Sequence, residues 1–390
     1  MHYNFDQLKD RRHSECTKWH VGENELPMSM ADMDFETAPE IKKAFADRIA
    51  QGVFGYADLP DDWADAYVSW WGSRHHFQVD PQWLVYSSGV IPTISSTVRK
   101  LTSPAEKVVV LTPSYNIFFN SIVNNGRYVL ECPLRYRDSV YDIDFEALEA
   151  ALSDPQATLL ILCNPHNPVG KIWDRETLLR ITELCIKHSV LVLSDEIHCD
   201  LTDPGKEYIP YASVSPEAAQ ISITCVAPTK AFNLAGIQSS AVIVPNPALR
   251  HRVWRALNTD EVGEASILGA LAPAAAFKQG GAWLDAMRAY VYENKQYARR
   301  FIAENLPQIT VIPSDATYLL WMDCRRISGD STRLASFLRQ HTGLILVNGA
   351  GYGAGGNGFL RIALACPRST AEDGMARLAR GVQEFLAQEK

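Results

Sequence analysis

The amino-acid sequence predicts an α/β protein in two parts. The large domain, residues 46–282, holds a mostly parallel central sheet between helices. The smaller α+β domain is built from residues 283–390 and the N-terminal segment 1–45. Three observations predict this. First, short apolar runs recur at Lys107 to Leu111, Leu159 to Cys163, Val190 to Ser194, Ile221 to Val226 and Ala241 to Val244. Strands this continuously apolar suit a sheet covered on both faces. Second, Asp174 to His188 carries Leu178, Ile181 and Cys185 at helical spacing, with Asp174 placed to cap the start. Strand, helix and strand at this spacing read as a right-handed βαβ unit. Third, a long helical pattern from Trp283 to Leu306 leads into a different layout of short elements.

Taken in order, the chain gives few periodic signals before Pro39-Glu40-Ile41-Lys42-Lys43-Ala44-Phe45, a helix start with proline in its first turn. Ahead of it, Met30-Ala31-Asp32-Met33-Asp34-Phe35 reads by pattern as a turn with solvated aspartates. A first strand, Leu84-Val85-Tyr86, precedes the apolar runs of the centre. Beyond residue 306, Thr310 to Ile312, Tyr318 to Met322, Leu344 to Val347 and Phe359 to Leu364 read as strands. Thr332 to His341 and Ser369 to Gln388 read as helices. No internal repeat or low-complexity linker is visible.

Bulk properties narrow the partners. The 390 residues are 47% hydrophobic and 21% charged, and the formal net charge of -8 argues against nucleic acid or an anionic membrane. The eight cysteines, at 16, 132, 163, 185, 199, 225, 324 and 366, form no C-x-x-C pair, and several interrupt apolar runs. That pattern fits a reducing cytoplasm. The N-terminus shows no signal-peptide pattern. The longest nearly apolar run, Ala265 to Phe277, holds a proline and falls short of the ~20 residues that cross a bilayer.

Ligands of open α/β sheets bind beyond the carboxyl ends of the strands. The first end is Ser87-Ser88-Gly89-Val90-Ile91-Pro92, where a glycine turn opening a helix exposes N–H groups that suit a phosphate. Thr112-Pro113-Ser114-Tyr115 offers a flat ring. Asn164-Pro165-His166-Asn167-Pro168-Val169-Gly170 presents amides from a turn that its prolines stiffen. Ser194-Asp195-Glu196-Ile197-His198 places carboxylates just past a hydrophobic strand, where burial demands a positive or donating partner. The run from Cys225 to Gln238 then delivers Lys230 from a strand end into a small-residue loop. A desolvated lysine loses its proton easily and forms an imine with an aldehyde. A phosphate cradle, an aromatic plate, an amide, a carboxylate and a lysine together meet the needs of pyridoxal 5'-phosphate.

With these residues in place, the sequence resembles the fold-type I pyridoxal-phosphate enzymes over essentially its whole length. Met30 to Phe35, Gly52-Val53-Phe54-Gly55-Tyr56, Asn164 to Gly170, Ser194 to His198 and Pro228 to Gly236 resemble the MalY/PatB-type carbon–sulfur β-lyases. The resemblance implies that Lys230 bonds the cofactor aldehyde and later moves the Cα proton. Asp195 would face the ring nitrogen, Asn167 the phenolic oxygen with His198 beside it, and Tyr115 the ring plane. Gly89, Val90 and Ile91 would hold the phosphate. Tyr56 would reach that phosphate from the neighbouring subunit of a homodimer. Arg361 would grip the substrate carboxylate through its planar fork; by pattern alone it reads as a surface ion pair on an edge strand. The implied reaction is α,β-elimination from cystathionine- or cysteine-type amino acids. Alternatives are an aminotransferase sharing Lys230, Asp195 and Arg361, and a non-catalytic binding or regulatory protein on the same fold. Four positions depart from the family pattern: Gln238 replaces a phosphate-side arginine, Ala227 a serine, Asn348 a proline and Ala363 an asparagine.

Overall fold

Seven strands form the central sheet of the computed structural model, which describes residues 3–388. Their spatial order is Leu84–Ser87, Ser240–Ile243, Ser222–Val226, Leu191–Asp195, Ala157–Cys163, Lys107–Thr112 and Tyr128–Pro133. Alternate residues of each strand point to opposite faces. Val108, Val110, Ile161 and Leu193 accordingly join one core, with Ile94 and Val98 of helix Val90–Leu101 and Val253 of helix Pro247–Thr259. Val109, Leu111, Leu160 and Val192 join the other, with Leu178, Ile181 and Cys185 of helix Arg175–Lys187. The expected two-sided cover is present, and Asp174 caps its helix by accepting from the Thr177 N–H at 2.7 Å.

The sheet differs from the sequence reading in two places. Ser240–Ile243 runs antiparallel to both neighbours. The link from Val226 to Ser240 holds only a short 3-10 turn, Ala235–Ile237, and a parallel return needs a crossover of a dozen or more residues, usually a helix. The edge strand Tyr128–Pro133, parallel to Lys107–Thr112, is absent from the reading because its exposed residues break the apolar run.

A four-stranded antiparallel sheet follows, in the order Thr310–Val311, Leu319–Asp323, Phe359–Ala363 and Val347–Asn348. Leu320, Met322, Leu360 and Ile362 pack against Ala298 and Ile302 of helix Gly281–Asn305 and Leu378 and Val382 of helix Arg368–Gln388. The strand expected at Leu344 to Val347 is two strands. Leu344–Ile345 pairs in parallel with Leu26–Pro27, while Val347–Asn348 joins the larger group. The N-terminal segment is thereby built in, and Met28 O accepts from the Ala363 N–H at 2.8 Å. No helix among the described residues is long and apolar enough to cross a membrane.

Candidate active site

Parallel strands place Ser87, Thr112, Cys163, Asp195 and Val226 at one edge of the sheet, so the segments after them share a cleft. Asp195 lies opposite Cys163 on one neighbouring strand and Cys225 on the other, and all three side chains are buried. Its Oδ1 accepts from the Ile197 N–H at 3.2 Å. Burial pushes the carboxyl up to about 6, against lowering contributions from the Ile197 N–H and the field of Lys230. A carboxylate held this way is ionised at neutral pH and suits a cationic partner.

Lys230 follows strand Ser222–Val226, and its Nζ donates to Ala31 O at 2.6 Å. Burial lowers its pKa, Asp32 raises it, Arg361 lowers it and Asp195 raises it, in decreasing order. Asp32, Arg361 and Asp195 therefore all lie within electrostatic reach of Lys230. His198 faces Lys230 and Arg361; burial first, then those two cations, takes it down to about 3, so it is neutral.

Arg361 sits on an inner strand of the four-stranded sheet and is 4% exposed, which corrects the reading of an edge-strand surface pair. One guanidinium nitrogen donates to Asn167 Oδ1 at 3.1 Å and the other to Ser29 O at 2.8 Å. Committing the Asn167 oxygen to Arg361 leaves its amide N–H groups for another acceptor. The turn bearing Asn167 closes through Gly170, whose φ of +76° a side chain would strain. A Cβ there would also lie 2.6 Å from Ser314 Cβ.

Tyr115 is partly buried, and its hydroxyl feels Arg361 and Asp195, which puts the ring beside them. Gly89, Val90 and Ile91 open helix Val90–Leu101, which has no side-chain cap. The first N–H groups of such a helix lack intrahelical partners and form an anion seat, and Pro92 supplies none. Tyr56 is apart from the group: it is fully exposed in the irregular segment 51–60, between Val53 and Phe54 at 68% and 65% exposure and Leu59.

The chain fits pyridoxal 5'-phosphate on its own donor set. His198 Nδ1 and Arg361 Nε are buried without a hydrogen-bond partner. A lysine whose pKa burial lowers, a buried carboxylate and an open helix N-terminus share the cleft with them. At the positions that depart from the family pattern, Gln238 ends the 3-10 turn in a left-handed conformation, and Tyr86 Oη donates to its carbonyl at 3.3 Å.

The sequence reading missed three groups. Asp34, expected in solvent, is 6% exposed and accepts from Lys18 Nζ at 2.8 Å, Trp19 Nε1 at 2.7 Å and Arg11 at 2.9 Å. Tyr318, read only as the start of a strand, has a hydroxyl in the field of Asp32, Arg361 and Tyr115. The Tyr352 ring lies 5.5 Å from the Arg361 guanidinium carbon. Nothing in local spacing marks the two tyrosines, because each is brought in by long-range pairing.

Comparison with known proteins follows the same lines. The family model described as aminotransferase class I and II matches residues 23–378. The chain is 40% identical over 381 residues to cystathionine beta-lyase PatB of Bacillus subtilis, covering 96% of this chain and 98% of that one. It is 32% identical over 389 residues to protein MalY of Escherichia coli, covering 98% and 99%. Among solved structures, cystalysin from Treponema denticola, whose crystal contains a pyridoxal 5'-phosphate cofactor, superposes with a TM-score of 0.95 at 32% identity, over 98% of this chain and 100% of that one. The chain belongs to the class I and II aminotransferase family.

Proposed function

We propose that this chain is a pyridoxal 5'-phosphate-dependent carbon–sulfur β-lyase. It cleaves cystathionine- or cysteine-type amino acids to pyruvate, ammonia and a thiol. The observation that carries the reading is the convergence of Lys230, Asp195 and Arg361 in one cleft. The full-length likeness to a cystathionine β-lyase favours elimination over amino transfer.

When bound, the cofactor supplies an aldehyde that captures amino groups and a ring that accepts the electrons of a broken Cα–H bond. The chain's residues do the rest. Lys230 would hold the cofactor at rest and, once released, take the substrate Cα proton at Nζ; burial lowers the pKa of that amine and favours its neutral, basic form. Asp195, ionised at neutral pH, would face the ring nitrogen and favour its protonated form. Arg361 binds the substrate carboxylate with Nε and a terminal nitrogen. Asn167 would donate its amide to the phenolic oxygen, and neutral His198 would add no charge beside it. Tyr115 covers the ring. Gly89, Val90 and Ile91 would direct N–H groups at the phosphate.

The chain works as a homodimer in the cytoplasm, with Tyr56 completing the partner's phosphate site. Exposed Val53, Phe54 and Tyr56 support the dimer, and eight unpaired cysteines support the compartment. Its units are 46–282 for the cofactor and 1–45 with 283–390 for closing over the substrate. Incubating the holoenzyme with cystathionine and quantifying products tests the function. Equal pyruvate and free thiol supports it. A keto acid retaining the sulfur, with the cofactor left as its amine, replaces it with an aminotransferase. No turnover on a broad amino-acid panel leaves a non-catalytic protein.

A further inference from the structure

The segment 29–35 lies across the lysine as a strap, fastened from three sides. Arg361 holds it at Ser29 O. Asn233, three residues after Lys230, accepts from the Met33 N–H at 3.2 Å and donates to Met33 O at 3.1 Å and Phe35 O at 2.8 Å. The N-terminal arm supplies two cations. Lys18, almost fully buried, donates to Asp32 O at 3.0 Å and to Asp34. Arg11 forks onto Asp32, with 3.1 Å to each carboxylate oxygen, and reaches Met33 O at 2.7 Å and Asp34 Oδ1. Within this strap, Ala31 O accepts from Lys230 Nζ, and the next residue is Asp32.

Asp34 is matched by Lys18 and Trp19 as well as Arg11. Asp32 has Arg11 as its side-chain partner, and it is the foremost of the charges acting on Lys230. The other groups facing Lys230 are Asp195, Arg361 and His198. We propose that Arg11 and Asp32 are positioning residues for Lys230: the pair seats the Ala31 carbonyl on the lysine amine and sets the net charge beside it. Asp32 acts on the lysine through its charge, and Arg11, its ion-pair partner, tempers it. The inference rests on the cofactor reading above and is independent of which bond the enzyme breaks.

The test is a pH titration of the visible absorption band of the holoenzyme, whose midpoint reports protonation at Lys230 Nζ. Asp32→Asn removes the negative charge, so the midpoint falls. Arg11→Met leaves that charge untempered, so it rises. Each shift is expected at about half a pH unit or more. Arg11→Lys keeps the cation, stays near wild type, and serves where Arg11→Met folds poorly. The double variant returns toward wild type because the two charges leave together. Shifts of the same sign in Asp32→Asn and Arg11→Met, or unmoved midpoints in both with the strap merely loosened, overturn the proposal. A wild-type chain with no such band refutes the cofactor reading instead, so the two failures are distinct.

Discussion

Asp195→Asn separates the energetic and chemical parts of the site, because its effect on stability changes sign with the cofactor. Asn keeps the shape of the side chain and removes its charge. In the cofactor-free protein the Asp195 carboxyl stands at about 6 against an ordinary 3.8, chiefly from burial. At about 1.4 kcal/mol per pH unit, the folded chain carries roughly 3 kcal/mol of unfavourable charge burial at pH 7.5. The sign follows from linkage. The folded carboxyl keeps its proton to higher pH than the unfolded one, so the cost is absent below about 3.8, grows between the two values, and is complete above about 6. Removing it stabilises the apoprotein. With an unfolding entropy of about 2.1 cal/mol/K per residue, the melting temperature rises by roughly 4 °C at pH 7.5 and by about half that at pH 5. In the holoenzyme the carboxylate has its cation, so the variant loses a pair, gains less from cofactor, and loses elimination activity by ~100-fold or more. Differential scanning fluorimetry of both forms, at both pH values, reads all of this. An Asn variant whose apoprotein melts at or below wild type at pH 7.5, or whose shift does not change with pH, refutes the reasoning.

Three other perturbations address separate parts of the account. Lys295 is fully buried and donates to both oxygens of Asp203 at 2.6 and 2.7 Å and to Thr317 O at 3.0 Å. Lys295→Met strands the Asp203 carboxylate and is expected to cost about 3–5 kcal/mol in a denaturant titration. Arg361→Leu should lower kcat/KM for amino-acid substrates by roughly 100-fold or more, mostly through KM, while the cofactor band stays in place. A mixture of Tyr56→Ala and Lys230→Ala chains, unfolded and refolded together, should recover activity that neither has alone, because one site of each hybrid dimer is intact. Recovery equal to the sum of the separate chains contradicts a shared site.

The central sheet was legible because its strands are apolar on both faces, and because Asp174 announces a helix in the βαβ unit. Strand ends then gave Asn167, Asp195 and Lys230, since the polar residue just past a buried strand is placed by the fold itself. The direction of Ser240–Ile243 was not legible from its residues; it depends on the lack of a helix in the preceding link. Arg361 and Asp34 looked solvated because local pattern does not say which strand becomes central or which cations arrive from the N-terminal arm. Asp32 and Tyr318 stayed hidden for the same reason: their partners are tens to hundreds of residues away.

The central claim is that one amine, Lys230 Nζ, carries the cofactor. Reducing the holoenzyme with borohydride, digesting it and mapping the pyridoxyl mass by tandem mass spectrometry reads that bond directly. The account predicts the mass on the peptide containing Lys230, and its disappearance in Lys230→Ala. The same mass on another lysine, or its persistence in that variant, contradicts the account.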